Sequence, residues 1–334
     1  MYNTYTSFRR IAVLPGDPAG IGYEITAKAL CDAQTWECLL EASLVTVVYA
    51  DAALFKMAAE RFAPTLALTQ IEDVSQADDV RQTYLIDVGH VEQFEPGKQS
   101  ASCALVAFSA ITRAVEDAKR DLIAGICTGP IHKVAMRLAN VGGIGHTEML
   151  AQGFGVTNPT TLFLTRDLRI FFYSRHLSLR QAIDALDVDK LVSFCRTAHR
   201  QMAQLGFSSP RLALAALNPH ASDGGQFGDE EARILTPAAQ KARAEGINIS
   251  DPIGADSVFA QAASGQYDAV ISLYHDQGHI AAKTYDFERT ISATLGLPVL
   301  RTSVDHGTAF DIAWQGIAQF VSMKTALKSL AKYL

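Results

Sequence analysis

Short apolar runs recur along this chain, and each breaks into glycine or titratable residues. Residues 11–14, 44–49, 84–88, 122–127, 168–173, 211–217 and 268–274 are apolar, partly β-branched or aromatic, and bounded by turn formers. That is the pattern of short buried strands. Between and after them lie stretches with helical spacing: 24–30, a helix opened by Asp51-Ala52-Ala53-Leu54, 101–120, about 231–245, and 323–334. Alternating strands and helices leave few architectures, and predict a mainly parallel sheet covered by helices. In such sheets ligands bind beyond the carboxyl ends of the strands. The residues just past each apolar run therefore matter most.

At 334 residues the chain is too long for one ordinary core and suits two domains. Hydrophobic residues at 49% and charged residues at only 19% argue against disorder. A net charge of −6 gives no electrostatic reason to expect nucleic acid or an anionic membrane as partner. The five cysteines (Cys31, Cys38, Cys103, Cys127, Cys195) are odd in number, widely spaced and without a CxxC, which fits reduced thiols. Residues 1–10 lack the apolar core of a signal peptide, and no apolar run approaches the ~20 residues of a membrane span. A soluble cytoplasmic protein is the expectation.

The first run leads into Pro15-Gly16-Asp17-Pro18-Ala19-Gly20-Ile21-Gly22. Strand, glycine-rich turn and helix is the layout of a phosphate loop, but the spacing matches neither GxGxxG nor the P-loop. A tight turn needing glycine dihedrals is the preferred reading, with Asp17 left as a residue able to face the cleft. The fourth run ends in Thr128-Gly129-Pro130-Ile131-His132-Lys133. Gly142-Gly143-Ile144-Gly145-His146-Thr147-Glu148 follows, where Thr147 is a candidate helix cap and His146 a candidate anion or hydroxyl contact.

Three of the nine histidines stand just past strand ends: His176, His220 and His275. Three converging imidazoles would leave an open position for water or substrate, as a catalytic metal site requires. Read from the residues alone, three separate loop histidines are an equal alternative. His275 and His279, four apart, would align on one helix face, and without HExxH a zincin protease is disfavoured. A glycine-rich loop, residues 221–231, leads into the helix at about 231, and its acidic residues suit the helix dipole. Residues 268–316 hold the densest chemistry, with His275, Asp276, Lys283, Arg289, Arg301 and His306-Gly307-Thr308-Ala309.

Six motifs now stand in order: Gly16-Asp17-Pro18-Ala19-Gly20-Ile21-Gly22, Thr128-Gly129-Pro130, Gly145-His146-Thr147-Glu148, Asn218-Pro219-His220-Ala221, Tyr274-His275-Asp276-Gln277-Gly278 and Arg301-Thr302-Ser303-Val304-Asp305-His306-Gly307. Together, over roughly residues 11–330, they resemble the 4-hydroxythreonine-4-phosphate dehydrogenase family of vitamin B6 synthesis. The resemblance implies a two-domain α/β/α fold like that of isocitrate and isopropylmalate dehydrogenases, with a mainly parallel sheet and no standard Rossmann domain. It implies a first domain of residues 1–137 plus 308–334. A second, 138–307, would carry the metal ligands and the dimer interface. It implies a homodimer with a shared active site, NAD, and a divalent metal (zinc ahead of magnesium, manganese or cobalt) on His176, His220 and His275. Substrate would be held by His146, Thr147, Lys283, Ser292 and Arg301, the cations gripping phosphate and carboxylate. His306, Gly307, Thr308 and Asp311 resemble the adenine-side loop of isopropylmalate dehydrogenases and would serve NAD.

The activity implied is NAD- and metal-dependent oxidation, with decarboxylation, of a 4-phosphorylated 3-hydroxy acid. Lys283 and Asp276 are the candidate proton acceptors, with orientation of a histidine the alternative role for Asp276. Two departures stand out. Ser292 replaces the asparagine of the biosynthetic enzymes and loses the amide's paired donor and acceptor. Tyr23 replaces a usual proline, which reads as a packing change. The alternatives are a D-threonate or D-erythronate 4-phosphate dehydrogenase of sugar-acid catabolism and, behind it, a cis-dihydrodiol dicarboxylate dehydrogenase, which retention of Arg301 disfavours. A metal-dependent hydrolase or lyase would not need residues 306–313. A non-catalytic sensor would not need every ligand and Lys283.

Overall fold

The computed structural model describes residues 8–141 and 145–334, so Gly142-Gly143-Ile144 and the first seven residues lie outside the described residues. In chain order the elements begin with β1 (Arg9–Leu14), α1 (Gly22–Cys31), α2 (Ala33–Glu41), β2 (Leu44–Ala50), α3 (Ala52–Phe62), β3 (Leu68–Ile71) and β4 (Thr83–Asp87). Then come α4 (Ala101–Lys119), β5 (Gly125–Thr128), α5 (Lys133–Leu138), α6 (His146–Phe154), β6 (Thr160–Thr165), β7 (Leu168–Phe172), α7 (Leu179–Asp184) and α8 (Val188–Gln204). The last are β8 (Leu212–Ala215), α9 (Thr236–Ala244), β9 (Ile249–Ile253), α10 (Ala255–Ala263), β10 (Ala269–Ser272), α11 (His275–Tyr285), β11 (Thr290–Leu295), β12 (Leu300–Val304) and α12 (Val321–Tyr333). Among the described residues no helix is long and apolar enough to cross a membrane.

Two compact units result, Met1–Pro159 with Ile291–Leu334, and Thr160–Thr290. The sequence expectation divided the chain after residues 137 and 307. The units instead divide at 159/160 and 290/291, because α6 packs on α4 and β12 pairs with β5, which keeps both segments with the first unit.

In the first unit the strands run β3-β4-β2-β1-β5-β12-β11, parallel except for the β11–β12 pair. All seven residues of β2 are buried, as expected of a strand covered on both faces. One core joins Leu14, Val47, Ile86 and Ile126 of the sheet to Ala107, Ile111 and Val115 of α4 and to Met149 and Leu150 of α6. Tyr23 is fully buried, 5.7 Å centroid to centroid from Phe55, with its hydroxyl accepting from the Asp51 amide. The packing reading of that departure fits.

In the second unit the order is β6-β7-β10-β8-β9, with only the β6–β7 hairpin antiparallel. Ile170, Phe172, Ala213, Ala215 and Val270 pack against Val258 and Phe259 of α10 and Ala282 of α11. Helix α11 lies very close to the sheet at Gly278. A Cβ there would sit 2.5 Å from the Phe172 ring and 2.9 Å from Ile170 Cγ2. Elsewhere in a helix, glycine to alanine gains about 1 kcal/mol, whereas overpacking a core costs about 1–3 kcal/mol. Gly278→Ala is therefore expected to lower stability in a urea titration, and a gain would mean that α11 is not held against the sheet.

Candidate active site

Arg301 is the organising group of the first unit. It lies mid-strand on β12, where the sheet buries it to 5% exposure. Its guanidinium donates to Thr128 Oγ1 from Nε (3.1 Å) and Nη2 (2.7 Å), and from Nη1 to Thr294 (3.0 Å) and Thr147 (3.3 Å). All of these partners are neutral hydroxyls. Burial lowers its pKa to about 10, which still leaves it charged at neutral pH. Burying an ion costs several kcal/mol, and Glu148 acts on this one only through space, with no hydrogen bond to it, so this arrangement suits an anion that arrives from outside. His146 is buried as well, and its Nε2 has no hydrogen-bond partner. Burial, assisted by the Arg301 charge, holds that imidazole well below its ordinary pKa and hence neutral.

Thr147 does not cap α6. The cap position is Gly145, and Thr147 lies inside the helix with its hydroxyl accepting from Arg301. Thr128, noted only as part of Thr128-Gly129-Pro130, gains a partner here, and Thr294 joins the cluster unannounced, since a buried threonine carries no sequence signal until its partner is known. Ser292 lies on β11 opposite Ser303 and is half-buried.

The second unit carries the strand-end histidines. His176 follows β7 in an exposed loop, and His220 follows β8 on the turn Pro219–Gly225. His275 is the first residue of α11, as the 275/279 spacing predicted. Its Nδ1 donates to Asp276 Oδ1 at 2.7 Å. The ring of His279 stacks on it at 3.6 Å with a 10° interplanar angle, and His279 Nδ1 donates to the His275 carbonyl. His279 is packed in turn against Phe163 and Phe172. The histidine that sequence reading noted only for its spacing thus braces His275. Lys283, in the last turn of α11, has Nζ 5.3 Å from the Phe287 ring centroid. Among the described residues no three His, Cys, Asp or Glu side chains of the chain are gathered to hold a metal ion. With Nδ1 committed to the Asp276 carboxylate, His275 has Nε2 left for another partner.

Residues 305–320 form an irregular segment fastened to α1 and to the turn before it. Glu24, fully buried, accepts from the amides of Gly316 (3.1 Å) and Ala318 (3.0 Å) and from Lys28 Nζ (2.6 Å). Trp314 Nε1 donates to the Pro18 carbonyl, and the Ile21 amide to the Thr308 carbonyl. His306 Nε2 lies 2.8 Å from Ser322 Oγ, Thr308 is buried and Asp311 is exposed. The turn at residues 15–22 is no phosphate cradle. The amides of Asp17, Ala19, Gly20 and Ile21 are spent on Pro130, Asp17 Oδ1, Asp17 and Thr308, and Gly16 takes φ +88. Asp17 is 1% exposed and so does not face a cleft.

The chain matches the family model described as "Pyridoxal phosphate biosynthetic protein PdxA" over residues 42–330. It is 44% identical over 326 residues to a candidate D-threonate 4-phosphate dehydrogenase of Symbiobacterium thermophilum, covering 97% of this chain and 96% of that one. Among solved structures it is similar to 4-hydroxythreonine-4-phosphate dehydrogenase from Klebsiella pneumoniae (36% identity, TM-score 0.83, 97% and 98% of the two chains). It is also similar to that from Burkholderia phymatum (33%, TM-score 0.85, 98% and 99%).

Asp17 makes the stability of the fold depend on pH. Burial raises its carboxyl from 3.8 to about 6, against one hydrogen bond from Ala19, and Oδ2 has no partner. The folded state then holds a proton that the unfolded state has released. Stability is full below about pH 4 and falls as pH rises to about 6, by about 3 kcal/mol for a shift of about two units. Asp17→Asn is expected to match the parent at pH 4 and exceed it at pH 7.5 in urea melts. Parallel pH profiles would refute the assignment.

Proposed function

Because the chain belongs to the PdxA family of pyridoxal phosphate biosynthetic proteins, and is a dehydrogenase acting on a hydroxyl group, we propose that it oxidises a 4-phosphorylated 3-hydroxy acid with NAD and a divalent metal. The product would then lose CO₂. The carrying observation is Arg301, a buried cation whose partners are all neutral, beside the unpartnered Nε2 of neutral His146. Together with Thr147 and Lys283 they suit the phosphate and carboxylate of such a substrate. His146 contributes a hydrogen bond without adding charge.

The metal, zinc first, would sit on His176, His220 and His275. When bound, it would supply a Lewis acid that lowers the pKa of the substrate hydroxyl, beside NAD as hydride acceptor. Asp276 serves His275 as the orienting carboxylate, which its 2.7 Å contact favours over a role as base. Lys283 is then the proton acceptor. Residues 306–308 and Asp311 hold NAD, on a segment kept in place by Glu24. The three histidines would be brought together by two copies of the chain, a homodimer with a shared site. Exposed apolar side chains support this. Leu177 and Leu179 follow His176, Phe227 follows His220, and Ile280 and Phe287 lie on and beyond α11. The five unpaired thiols suit the cytoplasm.

Ser292 favours a sugar acid such as D-threonate or D-erythronate 4-phosphate over the amino acid, and the name carried by the Symbiobacterium relative favours D-threonate 4-phosphate. NADH formation by the metal-loaded protein, measured side by side on these sugar acids and on 4-phosphohydroxy-L-threonine, tests this. Turnover of the sugar acids alone is expected, while turnover of only the amino acid would restore the biosynthetic reading. Arg301→Met is expected to lower kcat/KM about 100-fold or more, since losing a buried charged contact costs about 2–5 kcal/mol. An unchanged value would remove Arg301 from the site. Ile280→Asp should yield a monomer that no longer retains metal, and a metal-loaded monomer would refute the shared site.

A further inference from the structure

The segment that presents His220 has a backbone unlike any other in the second unit. His220, Ala221, Ser222, Asp223 and Gly224 have φ of +51°, +53°, +72°, +44° and +68°, and Gly225 follows at +98°. Four consecutive non-glycine residues thus lie in the left-handed region, which L-residues avoid because Cβ approaches the following carbonyl. Single residues there are ordinary; a run persists only where surrounding contacts over-determine it, and such runs cluster at functional sites.

Those contacts converge on one carboxylate. Glu231 is 4% exposed. Its Oε1 accepts from the amides of Leu217 and Asn218, both at 2.8 Å. Its Oε2 accepts from Asn218 Nδ2 at 2.9 Å and from the Ser222 hydroxyl. Asn218 Nδ2 also donates to Glu230 Oε2 at 2.7 Å. One carboxylate therefore fixes the chain on both sides of His220, at 217–218 and at 222. It does so from the single π-helical turn Glu231–Leu235, a local irregularity that precedes the regular helix α9. The helix-dipole reading of this acidic residue is replaced by a specific one, because its oxygens are taken by the loop.

We propose that Glu231 is the positioning residue for His220. Its carboxylate holds residues 217–222 in the left-handed turn that sets where the His220 imidazole is offered. The inference rests on the reading of His220 as a metal ligand. Glu231 does not itself touch the metal or the substrate. Removing a carboxylate that orients a ligand costs about 10–100-fold in metal affinity.

The test uses the full-length protein and Co²⁺ as probe. Affinity is read by chelator competition and ligand geometry by the visible absorption of the bound ion. His220→Ala, Glu231→Gln and Ser222→Ala are compared with the parent, with far-UV circular dichroism as the check on folding. His220→Ala should abolish tight binding. Glu231→Gln should weaken Co²⁺ about 10–100-fold and alter its absorption band. Ser222→Ala, which leaves the other three bonds in place, should weaken it about 3–10-fold. Parent-like affinity and spectrum in a folded Glu231→Gln, with binding lost in His220→Ala, would overturn the proposal and spare the metal site. If Glu231→Gln does not fold, Ser222→Ala decides in the same way. Parent-like binding by His220→Ala would overturn the ligand assignment itself and this inference with it.

Discussion

A guanidinium in the interior of a sheet is an expensive thing to keep, and much of the first unit is arranged to tolerate Arg301. β5 and β12 pair so that Arg301 lies near Thr128, β11 returns antiparallel to bring Thr294 alongside, and α6 contributes Thr147 from its first turn. Three hydroxyls satisfy donors without neutralising charge. A carboxylate bonded directly to the guanidinium would have made a worse anion site, because the ligand would have had to displace it. Neutral His146 follows the same logic, since a second cation beside the first would repel it.

The second unit meets a different demand, holding imidazoles at strand ends where the regular hydrogen-bond ladder has stopped. Order there comes from side chains. Asp276 and His279 fix His275, and Glu231 fixes the turn around His220. Gly278 lets α11 approach Phe172 and Ile170, which sets the depth at which the His275–His279 stack sits.

Sequence reading was strongest where periodicity and punctuation agree. Each of the seven apolar runs contains a strand, and the parallel architecture follows from their alternation with helices. Strands β3, β6, β9, β11 and β12 went unread because they are edge, hairpin or polar segments. β12 carries Arg301, β11 is rich in Ser and Thr, and β9 contains proline. Of the candidate residues, Arg301, His146, His275 and Asp276 belong to the clusters described. What could not be read was pairing over long separations. Thr128 and Arg301 are 173 residues apart, and Glu231 looks like any acidic residue near a helix start until its partners are seen.

The first unit is assembled from both ends of the chain, and this has a consequence for biosynthesis. β5 gains its neighbour β12, and α1 the contacts of residues 316–318, only after the whole of Thr160–Thr290 has been translated. On the ribosome the second unit can close on itself first, since domains fold as units during synthesis. The nascent first unit meanwhile waits with one sheet edge open, and an unpaired edge strand invites the wrong partner. The segment proposed to hold NAD is thus among the last parts to take shape, and a truncated product would lack it altogether.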